Sequence, residues 1–192
     1  MIDDIQGKLL IATPSLGGGF FRDSVVLLCQ HDDEGSMGLV LNKPQSIHVF
    51  EVLDELALFE SERKKSIAQM KLAQQIVYEA GPVDTYRGFV LHGIDQTYDS
   101  TMRVSADLNL TTSKDILERI AAGQGPEEFL LLLGYAGWAA GQLEDELANN
   151  DWLLANSTQD IVFHTPPDMM WAAAARSIGF ERAQLSSQVG HA

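Results

Sequence analysis

A thiol and an imidazole stand two residues apart in this chain, Cys29 and His31, at the end of the apolar run Val25-Val26-Leu27-Leu28. A strand's period of two sends both side chains out of one face. An imidazole that becomes charged beside a thiol lowers the thiol pKa, and the resulting thiolate is a nucleophile or a redox sensor. The competing reading of Cys29 is a small buried hydrophobe, the commonest setting of a cysteine. Further on, Arg87 and His92 bracket Gly88-Phe89-Val90-Leu91, placing a guanidinium and a second imidazole at opposite ends of one short strand. In a thiol enzyme, His31 or His92 would serve as base and Arg87 would hold an anion.

Other chemistries are poorly supplied. His31-Asp32-Asp33-Glu34 offers donors to a divalent cation, but nothing nearby completes a ligand set, and a solvated turn is preferred. The remaining histidines, His48, His92, His164 and His191, lack the H-E-x-x-H spacing of a zinc enzyme, so no metal is expected. Gly17-Gly18-Gly19 lacks both the Gly-Lys-Ser/Thr ending of a phosphate loop and the G-x-G-x-x-G of a dinucleotide site, so no cofactor is expected either. Ser36, in Glu34-Gly35-Ser36-Met37-Gly38, misses the first glycine of a nucleophile elbow and lies between two strands rather than between strand and helix, which disfavours a serine hydrolase.

These residues must be positioned by the elements around them. Residues 9–12, 24–31 and 37–41 read as strands, the last two as a hairpin, with Asn42-Lys43-Pro44 ending the third because proline cannot donate to a ladder. Val49, Val52, Leu53 and Leu56 have helical spacing. Residues 76–79 and 88–92 read as strands separated by Gly81-Pro82, and Thr112 with Asp115 resembles a capping box opening a helix that stops near Gly123. The apolar run 129–133 reads as a central strand entering a glycine-flexed turn, Gly134-Tyr135-Ala136-Gly137-Trp138, and then a short acidic helix around Leu143 and Leu147. Residues 152–155 and 161–163 read as strands or extended coil. Thr165-Pro166-Pro167-Asp168 starts a last helix running to Gly179.

The composition narrows the class. At 192 residues and 45% hydrophobic content, one domain spanning 1–192 is expected. A formal net charge of −14 repels phosphate backbones, so direct nucleic-acid binding is not expected; the basic run Arg63-Lys64-Lys65 reads as solvated surface. One cysteine excludes an intramolecular disulfide, the acidic start has no signal-peptide character, and no stretch suits a membrane span, which together point to the cytoplasm. Hairpins mixed with isolated helices point to an α+β fold. Trp138, Trp152 and Trp171 offer aromatic surface for a homodimer.

Combined, several blocks carry a resemblance. Pro14-Ser15-Leu16, Phe21 to Ser24, Cys29-Gln30-His31, and Gly35 with Met37-Gly38-Leu39-Val40-Leu41-Asn42-Lys43-Pro44 resemble the amino-terminal signature of the AlgH/YqgE family. Gly81-Pro82-Val83, Arg87-Gly88-Phe89-Val90-Leu91-His92, Leu133-Gly134-Tyr135-Ala136-Gly137-Trp138, Gln142-Leu143-Glu144 with Glu146, and Asn150 with Trp152 resemble its later blocks, so the likeness spans most of the chain. The chain departs from the pattern at Ala80, where the family has a second glycine, and in a longer, more charged segment from Glu60 to Gln75.

The resemblance implies a bent, largely antiparallel sheet closing into a partial β-barrel, with helices packed outside. It also implies a bacterial protein described as a transcriptional regulator. With this charge balance and no basic pair of recognition helices, regulation is expected to run through a protein or small-molecule partner. The leading expectation is a regulatory or ligand- and protein-binding protein whose functional face gathers Cys29, His31 and His92 with Asn42 and Arg87 as ligand contacts. The alternatives are an enzyme with Cys29 as nucleophile and a regulator that binds DNA directly.

Overall fold

The computed structural model describes residues 5–59 and 67–180, so the solvated-surface reading of residues 63–65 lies outside the described residues. Three strands open the chain, β1 (Lys8–Ala12), β2 (Val25–Asp32) and β3 (Gly35–Val40), each antiparallel to the next. After β4 (Pro44–His48) come helices α1 (Val49–Glu55) and α2 (Ile67–Leu72), then β5 (Ile76–Glu79), β6 (Val83–His92), β7 (Met102–Arg103), β8 (Asn109–Thr111) and helix α3 (Lys114–Ala121). The long β9 (Phe129–Ala139), α4 (Gln142–Ala148), β10 (Trp152–Asn156), α5 (Gln159–His164) and α6 (Pro167–Ser177) complete it.

One sheet runs in the order β10-β1-β2-β3-β9-β6-β8-β7, with β5 and β4 branching from β9. The spine is β9: its second half pairs antiparallel with β3, and its first half pairs antiparallel with β6 and parallel with β5. Because one strand serves two sets of neighbours, the sheet curls into a half-barrel, and the fold is α+β with helices on the outside. Among the described residues no helix is long and apolar enough to cross a membrane.

Alternation along the strands divides the apolar residues among three clusters. Leu9, Ile11, Leu27, Leu39 and Phe89 meet Met170, Trp171 and Ala174 of α6. Leu10, Val26, Leu28 and Val40 point the other way, toward Trp138, Trp152 and Leu143 of α4. At the far end, Val49 and Leu53 of α1 and Ile116 and Ile120 of α3 cover Val77, Val90 and Leu131. All three tryptophans are buried in these clusters and offer no surface for a dimer.

Several local expectations are corrected. Residues 161–163 are helical: the Thr158 hydroxyl accepts from Ile161 N at 3.3 Å, a side-chain cap that starts a helix despite the strand-like triplet Ile161-Val162-Phe163. The α3 N-cap is Ser113 rather than Thr112, and its hydroxyl donates to Asp115 instead of capping the backbone. Pro44 opens β4, which pairs only with β5, so the missing N–H disturbs no ladder. The expected turn at Gly134 is part of β9. Gly134 has φ +76°, and a Cβ there would lie 2.4 Å from the Gly81 carbonyl oxygen; a Cβ on Gly81 would lie 1.9 Å from the Tyr135 carbonyl carbon. These glycines therefore bring two backbones together rather than making room for a ligand.

Candidate functional site

The expected convergence on Cys29 does not form. Between Leu28 and Gln30 the β2–β3 register shifts by one residue: Leu28 faces Gly38 and Gln30 faces Met37, leaving Cys29 as the extra residue of a bulge. The bulge cancels the alternation that would align Cys29 with His31. Cys29 is fully buried with Leu27 and Leu39 in the α6-side cluster, its thiol aimed at the Leu27 carbonyl at 3.5 Å. Burial among apolar neighbours pushes its pKa upward, so it stays a thiol and offers no nucleophile. His31 lies on the opposite face, where its Nδ1 is 2.8 Å from Ser36 Oγ and its Nε2 is 3.7 Å from Glu144 Oε1 of α4. Ser36, set aside as a nucleophile from the sequence, thus becomes the partner of His31 through cross-strand pairing.

Strands β2 and β6 are separated by β3 and β9, so His31 and His92 are not neighbours. His92 is buried: Nδ1 donates to the Gly93 carbonyl at 2.7 Å, which leaves Nε2 as acceptor for the Thr111 hydroxyl at 2.9 Å. Thr111 in turn takes a hydrogen bond from Thr101 at 2.8 Å, and Thr101 Oγ1 accepts from Tyr98 N at 2.7 Å. Burial lowers the His92 pKa against an opposing hydrogen bond to Gly93 and the charge of Asp95, and the chain of donors holds the neutral tautomer. Arg87 packs on the other face of β6, its guanidinium 5.2 Å from the Phe89 ring centre and 5.9 Å from that of Tyr135. Asn42 accepts from Val25 N and donates to the Asp23 carbonyl, both at 2.9 Å, and so ties the loop before β2 to the sheet. The Ala80 amide and carbonyl bond Leu133 O and Val40 N, leaving no backbone nest there.

One polar arrangement was not foreseen. Glu146 of α4 receives the indole N–H of both Trp138 and Trp152 on Oε2 at 2.8 Å, and Gln142 Nε2 on Oε1 at 2.9 Å. The helix is thereby fastened to the sheet through one carboxylate, a structural role for the acidic stretch. Among the described residues no three potential metal-binding side chains are gathered.

The feature best shaped to bind lies elsewhere. A cleft of about 900 Å³ opens between helices α1 and α3 above the sheet. The partly exposed Gly88 of β6 and Leu133 of β9 form its floor, above the buried Val90 and Leu131. Val52, Glu55 and Leu56 form one wall, and Thr112, Ser113, Lys114 and Leu117 the other. At the rim, residues 84–87 bulge out of β6, because Val83 pairs with Tyr135 and Gly88 with Leu133, so four residues oppose Gly134 alone. The bulge presents Tyr86, whose side chain is 96% exposed, beside the cleft. Thr111 also lines it, which puts the buried His92 one hydroxyl away. The helical spacing of Val52 and Leu56 was legible; that they border a void was not, since the void depends on where α1 and α3 come to sit on the sheet.

The comparisons with known proteins identify the family to which this α+β fold belongs. A family model described as AlgH-like matches residues 9–183. A UPF0301 protein of Ralstonia pickettii is 42% identical, over 98% of this chain and 96% of its own, and one of Idiomarina loihiensis is 41% identical over the whole of both. The solution structure of the AlgH protein from Pseudomonas aeruginosa superposes with a TM-score of 0.75 at 41% identity, covering 98% of this chain and 96% of that one. A crystal structure from Corynebacterium diphtheriae shares the fold at a TM-score of 0.71 and 22% identity. The chain belongs to the AlgH-like family.

Proposed function

We propose that the chain is a cytoplasmic binding protein that acts in regulation by docking an apolar segment of a partner protein in the cleft between α1 and α3, without contacting nucleic acid itself. The observation that carries this reading is the open cleft itself, where the apolar Ile47, Val52, Leu56, Leu117 and Leu133 are all partly exposed beside a fully exposed tyrosine. Tyrosine is enriched among interface anchors because it adds large contact area at low entropic cost. A cleft this open suits a peptide better than an enclosed small molecule, and a net charge of −14 works against duplex or anionic lipid.

The test is selection from a random peptide display library on the immobilised chain, counter-selected on Leu117→Glu, which places a charge in the cleft wall. Enrichment of peptides with apolar anchors that lose binding to the variant supports docking. Peptides that bind both proteins equally, or no enrichment, contradict it.

A further inference from the structure

We infer that β10 is an interaction edge through which the chain pairs with a second copy of itself. This edge ends the sheet on the side away from the strands that border the cleft.

The backbone supplies the hydrogen bonds. Strand β10 pairs with β1 alone, and just before it the Thr13 amide donates to the Asp151 carbonyl at 3.0 Å. That bond fixes the alternation. Leu153 and Ala155 are in phase with Asp151 and exchange backbone bonds with Ile11 and Leu9, so the N–H and C=O groups of Trp152, Leu154 and Asn156 point away from β1. Among the described residues none of those groups has a backbone partner. The strand is held in place for pairing: Trp152 is buried in the α4-side cluster and Ala155 in the α6-side cluster, while Leu154 and Asn156 are exposed.

Nothing in the strand opposes such pairing. Natural sheets blunt their free edges with charges, prolines, bulges or brevity. Here β7 has two residues and ends in Arg103, and β4 opens with Pro44 and shifts register against β5. The run Trp152-Leu153-Leu154-Ala155-Asn156 has no charge and no proline, and it follows β1 without a register shift.

Symmetry and charge name the occupant. A two-fold axis at Leu154 sets that residue of the two copies side by side and faces Trp152 of one with Asn156 of the other, so every outward group is paired. Lys8 Nζ reaches the Asn156 end of the edge, donating to Asn156 Oδ1 at 2.6 Å, and has no carboxylate partner among the described residues. Asp151 adjoins the Trp152 end, its carboxylate accepting from Ser15 Oγ at 2.9 Å. The same axis brings each Lys8 toward Asp151 of the other copy, two identical contacts of opposite charge. Five residues span only about 17 Å. An edge this short buries less than the ~1,200 Å² of a stable interface, and a net charge of −14 on each copy adds repulsion, so the dimer is weak and depends on concentration.

Sedimentation equilibrium of the whole chain from ~10 µM to ~1 mM should show a reversible monomer and dimer. Leu154→Pro removes one outward N–H and no bond to β1, and Leu154→Lys sets like charges side by side across the axis. Each should raise the dissociation constant at least ~10-fold with the circular dichroism spectrum unchanged. Lys8→Glu should weaken the dimer, and adding Asp151→Lys to it should restore pairing, a charge reversal that decides the matter even if a Leu154 variant fails to fold. In ¹⁵N–¹H spectra the amide shifts that grow with concentration should centre on residues 152–156. A monomer mass throughout, a dimer indifferent to the Leu154 and Lys8 substitutions, or concentration-dependent shifts centred elsewhere overturns the inference.

Discussion

The Thr111 hydroxyl, fully buried beneath the cleft, donates to Nε2 of the buried His92 at 2.9 Å. The imidazole can accept that bond only when neutral, and its own proton on Nδ1 is committed to the Gly93 carbonyl. Protonation of His92 would set two donors against each other and would bury a charge.

Stability should therefore depend on pH with a sign fixed by His92. Its folded pKa lies below the ordinary 6.5, so the unfolded chain binds the extra proton first as pH falls. The contribution is fully present above 6.5 and is lost as pH falls from there toward the folded value. Urea midpoints measured from pH 8 to pH 5 should decline more steeply for the native chain than for His92→Gln. The exposed His164, whose pKa is raised by Glu128, works in the opposite sense but is common to both proteins and cancels in the comparison. Identical slopes would show that His92 is not held neutral.

Thr111→Val removes the donor and leaves Nε2 unpaired in the core, at a cost of about 1–3 kcal/mol. Denaturant unfolding at pH 8 reads this directly, and an unchanged midpoint would dissolve the hydrogen-bond chain.

Cys29 should be silent in the folded protein. A thiol reagent should modify it only as fast as the fold opens, with the rate rising in parallel with unfolding at low denaturant. Cys29→Ala should leave peptide binding unchanged. Modification at the rate of free cysteine, without denaturant, would restore the nucleophile reading.

The contrast between Cys29 and His31 shows what a sequence yields. Strand β2 and its apolar content were legible from Val25-Val26-Leu27-Leu28, and so was its hairpin with β3. The single extra residue was not, because a bulge is decided by the partner strand, here by Gly38 and Met37 meeting Leu28 and Gln30. Likewise the family blocks gave the α+β class and the half-barrel, while Gly81 and Gly134 gave no hint that they served each other. Residues 129–133 were recognised as a central strand, but its continuation through Gly134 depended on that distant contact. The cleft has no motif at all: its residues come from six elements, and its existence is a property of spacing between helices.

Glu146→Ala should cost about 2–4 kcal/mol, since it deprives two indole N–H groups of a charged acceptor. Tryptophan emission should shift as Trp138 and Trp152 lose that partner. A variant with native stability and unaltered emission would contradict the fastening of α4 through this carboxylate.

Gly134→Ala and Gly17→Ala separate crowding from backbone strain. Both residues have φ +76°, but a Cβ at Gly17 has no neighbour within 4 Å, whereas at Gly134 it meets the Gly81 carbonyl at 2.4 Å. Gly17→Ala should cost about 1–3 kcal/mol and Gly134→Ala clearly more. Equal losses would mean that the β9 kink tolerates a side chain.

The most direct measurement is a two-dimensional ¹⁵N–¹H titration of the chain with a peptide enriched in the display selection. Amide shifts should concentrate in residues 45–47, 52–56, 85–90, 111–117 and 131–133, the five stretches that border the cleft. Shifts centred instead on His31, Ser36 and Glu144, or spread evenly over the acidic surface, would contradict it.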